Sequence, residues 1–144
     1  MTTLYSDEFI QADLISKLKS LTTITSLLPE GQSGIKELQW QGDTFQYPGV
    51  RLDLEANEYG LDEQEMCGLY KIEFSIYVFS QERSSKQASQ IKGLLETALT
   101  GIGWHGTYAK YSRLRLLDNI PAVREDSVTW RSQIRYKAKI MSLP

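Results

Sequence analysis

Few side chains in this sequence of 144 residues carry reactive chemistry, and their spacing limits what they can do. One histidine, His105, stands in a glycine-rich turn with Gly101, Gly103 and Gly106, and one cysteine, Cys67, stands beside Gly68 in an acidic stretch. A lone imidazole is a general acid or base only when a second group positions it, so His105 reads as a surface residue. Acidic surroundings raise a thiol's pKa and suppress the nucleophilic thiolate. One cysteine and one histidine also fall short of a zinc ligand set. Asp53 and Glu73 fall on neighbouring predicted strands and invite comparison with a magnesium-dependent nuclease, which pairs an acid with Glu-x-Lys. No lysine here has an acid two residues before it. The run Gly31-Gln32-Ser33-Gly34 lacks the lysine and the following helix of a phosphate-binding loop. The sequence therefore assigns no catalytic residue, no cofactor and no metal.

Charge carries more information. The formal net charge is −2, but its distribution is uneven. The stretch from Asp53 to Glu65 holds Asp53, Glu55, Glu58, Asp62, Glu63 and Glu65 with no lysine or arginine. From Lys110 to Lys139 bases outnumber acids, and Arg131, Arg135, Lys137 and Lys139 share one side of a predicted strand. Separated charge fits a nucleic-acid face, or two faces that meet within the fold or between subunits. Arg131, Arg135 and Lys137 could also pair across strands with Asp53, Glu55 or Glu73. DNA binding is disfavoured, because acids exceed bases overall and most aromatics occupy alternating core positions.

The elements that must position these residues follow from periodicity. Ser6, Asp7 and Glu8 open a helix whose apolar face is Ile10, Leu14, Leu18 and Leu21. Leu21, Ile24, Leu27 and Leu28 continue it or form a second short turn, ended by Pro29 and Gly31. Leu38 and Trp40 are a weak edge-strand candidate. Pro48 precedes a strand with Val50, Leu52 and Leu54 on one face. Ala56 to Gly68 is expected to be an extended, mobile hairpin loop. Ile72, Phe74, Ile76 and Val78 then alternate along a strand that feeds a helix carrying Ala88, Ile91, Leu95 and Ala98. Ser84 and Ser85 offer N-cap hydroxyls, and Gly101 and Gly103 end that helix. Leu114 and Leu116 suggest another strand, Asn119 to Asp126 a turn, and Val128 to Ile140 a final strand with Ser132 as the one polar intruder on its inner face. The expectation is one α+β domain over residues 1–144: a mostly antiparallel sheet of four to five strands with two amphipathic helices packed on one face. No apolar run is long enough for a membrane helix. The acidic N-terminus is unlike a signal peptide, so a cytosolic protein is expected.

Three stretches carry a resemblance. They are LISKLKSLTTITSLL from Leu14 to Leu28, FQYPGVRLDL from Phe45 to Leu54, and IEFSIYVFSQERSSKQASQIKGLLETAL from Ile72 to Leu99. Together they resemble the tail-terminator and tail-completion proteins of tailed bacteriophages, with the Tyr47-Pro48 strand opening as the best local match. The resemblance implies a virion structural protein and no enzyme. It would be a ring, typically a hexamer, capping the head-proximal end of the tail tube. Its partners would be further copies of itself, the tail tube protein, a head-side neck or stopper protein, and the sheath where the tail is contractile. DNA would pass through the lumen without specific binding, and no membrane is involved. The protein would assemble in the host cytoplasm and reside in the virion tail or neck. Another head–tail joining protein, a stopper or adaptor, is the alternative, ahead of the nuclease. On this reading Arg131, Arg135, Lys137 and Lys139 form a subunit-interface face. Glu55, Glu58, Asp62, Glu63 and Glu65 form its acidic counterpart or a lumen loop. Reversing Arg131 and Arg135 to Glu is then expected to weaken assembly and leave the subunit folded.

Overall fold

The computed structural model describes residues 6–39, 46–59 and 70–141. The chain begins with α1 (Asp7–Lys19), a one-turn α2 (Thr22–Thr25) and a 3-10 turn (Gly31–Gly34). Strands β1 (Ile35–Glu37), β2 (Gly49–Tyr59) and β3 (Tyr70–Ser80) follow, then α3 (Lys86–Leu99). The chain ends in β4 (Trp104–His105), β5 (Lys110–Tyr111), β6 (Arg115–Arg124) and β7 (Trp130–Met141).

Strand β3 lies in the sheet because its apolar residues recur at every second position. Ile72, Phe74, Ile76 and Val78 are all buried, as are Val50 and Leu52 of β2 and Ile134, Tyr136 and Ile140 of β7. The register brings like to like: Leu52 faces Ile76, which faces Ile134, and Phe74 faces Tyr136 with ring centroids 5.9 Å apart. Onto this face α1 sets Ile10, Leu14 and Leu18, and α3 sets Ala88, Ile91, Leu95 and Leu99. Each of these Leu and Ile side chains, fully buried, contributes about 1.5–3 kcal/mol of transfer free energy. Ser132 is explained by the helix above it: its buried hydroxyl donates to the Ala88 carbonyl at 3.1 Å. Glycine closes α3, since Gly101 takes φ +78°, a conformation costly for any residue with a Cβ.

The expected sheet of four to five mostly antiparallel strands under two helices is corrected. Among the described residues the sheet is mixed and seven-stranded, in the order β1-β2-β3-β7-β5-β4 with β6 also on β7. It curls into a half-barrel, and three α-helices among those residues accompany it. Strand β1 runs parallel to β2, with Ile35 beside Val50. Two- and three-residue strands such as β1, β4 and β5 are too short to show a period. The edge strand anticipated at Leu38 and Trp40 lies three residues earlier; Leu38 retains a single bond to the Leu52 carbonyl, and Trp40 is outside the described residues.

Three boundaries also move. Strand β6 runs straight through Pro121, where a turn from Asn119 to Asp126 was expected. Proline is tolerated there because β6 is an edge strand and its register with β7 slips between Ile120 and Val123. The real turn follows, with the Asp126 carboxylate accepting from the Val128 and Thr129 amides at 2.8 Å each. That turn buries Thr129 and leaves Val128, predicted inward, 57% exposed. Finally, β2 continues to Tyr59 past a bulge at Leu54/Ala56, so the expected loop cannot begin at Ala56. Residues 60–68 of that loop lie outside the described residues.

Candidate functional site

The face of the sheet away from the helices collects the charged residues, since alternate side chains of β2, β3 and β7 point there. Arg135 is its centre. Its Nε donates to Glu55 at 2.9 Å, one terminal nitrogen to Asp118 at 2.6 Å, and the other lies 3.8 Å from Glu73. These bonds, Glu55 first and Asp118 next, raise the guanidinium pKa further above its ordinary value. Burial, and then Glu55, push the Asp53 carboxyl upward. Below them Gln133 donates to the buried Ser75 hydroxyl at 3.0 Å. Arg131 pairs with Glu125 at 3.0 Å and lies over the Tyr77 ring, 5.6 Å from its centroid.

The predicted basic row is therefore divided. Arg131 and Arg135 are committed to carboxylates of their own chain, among them Asp118, which β6 supplies. Lys137 and Lys139 are exposed. Of the acidic set, Glu55 belongs to the Arg135 cluster, Glu58 sits on β2 opposite Lys71, and Asp62, Glu63 and Glu65 lie outside the described residues, as does Cys67. Reversing Arg135 thus strikes the fold as well as any contact. Arg135→Ala is expected to cost about 1 kcal/mol in urea unfolding, less at high salt, because partly exposed ion pairs are worth little singly. An unchanged midpoint would remove the cluster from the account of stability.

Beside the exposed lysines, a groove of about 900 Å³ opens between the end of β7 and the link from β5 to β6. Lys71, Arg113, Arg115, Lys137 and Lys139 line it, with Glu73 the one acid among the described residues. Asp53 and Glu73, the nuclease candidates, are not directly opposed: Asp53 faces Ser75, while Glu73 faces Ala56 and leans to Arg135. Among the described residues no group of three or more His, Cys, Asp or Glu could hold a metal. Among them, too, no helix is long and apolar enough to cross a membrane.

Sequence reasoning missed a second polar cluster. Asp13 of α1 is only 2% exposed and accepts from the Thr107 amide at 2.9 Å, the Tyr108 amide at 3.1 Å and the Tyr111 hydroxyl at 2.8 Å. It ties α1 to the turn between β4 and β5, next to exposed His105. The available signal was an acid three residues after Ile10 and one before Leu14, on the edge of an apolar stripe.

No protein-family model matches the chain, and no curated protein matches it. Solved structures share its fold. A chain from the virion of a native gene transfer agent particle superimposes with a TM-score of 0.69 at 16% identity, covering 92% of this chain and 95% of that one. A second solved chain superimposes with a TM-score of 0.64 at 15% identity, covering 96% of this chain and 98% of its own. At these identities the likeness is one of fold.

Proposed function

We propose that this chain is a structural protein of a phage-like virion, working by assembly as a ring that caps the head-proximal end of a tail tube. The observation that carries this is the end-to-end likeness of fold to a chain of a gene transfer agent virion. The tail-terminator resemblance of the Leu14–Leu28, Phe45–Leu54 and Ile72–Leu99 stretches points the same way. The mechanism is geometric. One face of the ring matches the docking surface of the tube subunit, and the other receives a head-side neck protein and refuses another tube ring. A cyclic ring needs a heterologous contact, in which one patch meets a different patch on the neighbour. DNA passes through the lumen unread. A lumen that must not retain DNA avoids clustered lysine and arginine, because phosphate neutralisation strengthens binding through counterion release.

Gold labelling of a tagged chain is expected to mark one site per particle, where tail meets head. Negative-stain images of the purified protein with tail tubes are expected to show rings on tube ends. A chain absent from purified particles, or a magnesium-dependent nuclease activity lost in Asp53→Ala, would overturn the proposal.

A further inference from the structure

We propose that the open flank of β6 on one subunit docks against the uncharged flank of α2 and α3 on a second copy of this chain; this rests on the assembly reading above. Six of the ten residues of β6 are apolar, yet none of the ten is buried. Ile120 is 37% and Val123 41% exposed, and Val128 in the turn that follows is more exposed still. Ile120 lies opposite Gln133 and Val123 opposite Arg131, so both belong to the sheet face away from the helices. Adding a further strand to this edge is disfavoured. Pro121 has no amide to give, the register slips beside it, and Lys92 already donates to the Ile120 carbonyl at 3.0 Å. The flank therefore offers side chains and little backbone. Apolar side chains left exposed together mark an interaction surface.

The same chain carries a surface that matches. A surface helix normally turns its charges to water, and α3 does not. Its two mid-helix charges face β6, where Lys92 holds the Ile120 carbonyl and Glu96 accepts from Asn119 at 3.1 Å. Of its exposed residues Lys86, Ser89, Gln90, Leu94 and Thr97, only Lys86 in the first turn is charged. Beside it packs α2, in a stretch from Ser20 to Pro29 that holds no charged residue and leaves Leu27 exposed. Interface cores are depleted in charge in the same way. Gly93 is a separate sign. Glycine weakens a helix interior, yet a Cβ there would meet nothing within 4 Å beyond the backbone of its own helix. Close approach by another molecule gives that glycine a reason. Leu94 is two residues from both Lys92 and Glu96, about 200° round a helix of 3.6 residues per turn. The uncharged flank and β6 thus lie on opposite sides of α3. One patch meeting a different patch is the heterologous arrangement that closes into a ring, and a single such contact covers both surfaces.

The test uses two variants of the full chain, Ile120→Glu with Val123→Glu on the strand flank, and Leu27→Lys with Leu94→Lys on the helix flank. Association is read by light scattering at rising concentration and by negative-stain imaging of rings on tail-tube ends, with circular dichroism to verify folding. Each variant alone is expected to associate at least about tenfold more weakly than wild type, because a charge placed in a buried apolar contact is costly. An equimolar mixture is expected to recover at least paired subunits, since each variant keeps the half that the other has lost. Gly93→Gln probes the contact without adding charge: it is expected to keep or raise the unfolding midpoint while weakening association. If both folded variants associate like wild type, or if mixing restores nothing, the contact is wrong while the assembly reading stands. If wild type stays monomeric both alone and on tail tubes, the assembly reading fails and takes this inference with it. Normal rings of the β6 variant on particles that have lost the head-side neck protein would assign the flank to that protein and overturn the proposal.

Discussion

Asp13→Ala is expected to lower the unfolding free energy by about 3 kcal/mol, a large share of a domain's usual margin of stability. Three donors converge on the carboxylate, two backbone amides and one phenol. Alanine removes all three bonds at once. A hydrogen bond to a charged group is worth about 1.5–3 kcal/mol, and a buried donor left unpaired costs about 1–3 kcal/mol. The total stays well below the sum, because Thr107 and Tyr108 are exposed and water can reach their amides. The Tyr111 hydroxyl has less recourse, since that residue is 1% exposed and its ring stacks on Trp104 with centroids 4.5 Å apart. Asp13→Asn keeps one acceptor oxygen but turns an NH2 towards a donor, so it is expected to cost about 2 kcal/mol. Urea unfolding of Asp13→Ala, Tyr111→Phe and the two combined supplies a double-mutant cycle. Asp13→Ala within about 0.5 kcal/mol of wild type would show that the carboxylate's desolvation cancels its bonds.

The second large effect belongs to the residue packed against that carboxylate. Gly106→Ala is expected to destabilise by about 2–3 kcal/mol, the usual cost of forcing extra volume into a filled site. A Cβ on Gly106 would stand 2.4 Å from Asp13 Oδ2, 2.6 Å from its Cγ and 2.8 Å from Tyr111 Cε2. The carboxylate cannot swing aside without giving up its three bonds, and the backbone is held by the Gly106 amide donating to the Ala109 carbonyl at 2.8 Å. The clash is specific, and this allows a sharp check by thermal or urea unfolding. In the Asp13→Ala background the two nearest contacts are gone and the Tyr111 ring alone must give way, so the second substitution is expected to cost less than it does alone. Strict additivity of the two changes would mean that Gly106 matters for some reason other than this contact.

Both residues act on rigidity. Asp13 and Gly106 lock α1 to the β4–β5 turn, and Phe9 of α1 stacks on Tyr108 of that turn at 4.4 Å.

The elements with long apolar periods were legible from the chain alone. The inward sets of β2, β3 and β7 and the buried stripes of α1 and α3 follow from periods of 2 and 3.6, since a strand or helix of that length can hide its apolar residues in only one way. Ser132 could be seen as an intruder, though its partner, the Ala88 carbonyl, could not. What escaped was set by contacts between distant segments. Short strands such as β1 exist only because a neighbour pairs with them, and Pro121 is a strand residue only because β6 lies at an edge. For Arg135 the chain alone allowed either cross-strand pairs with Glu55 or Glu73 or a subunit interface; the choice, and the addition of Asp118, came only when β2, β3 and β6 surrounded it with residues 80, 62 and 17 positions away in sequence. Asp13 finds its donors more than ninety positions along the chain. Local pattern reports which side of an element prefers to leave water; the partner of a charge, and so whether it belongs to the fold or to a contact, depends on closure of the whole sheet.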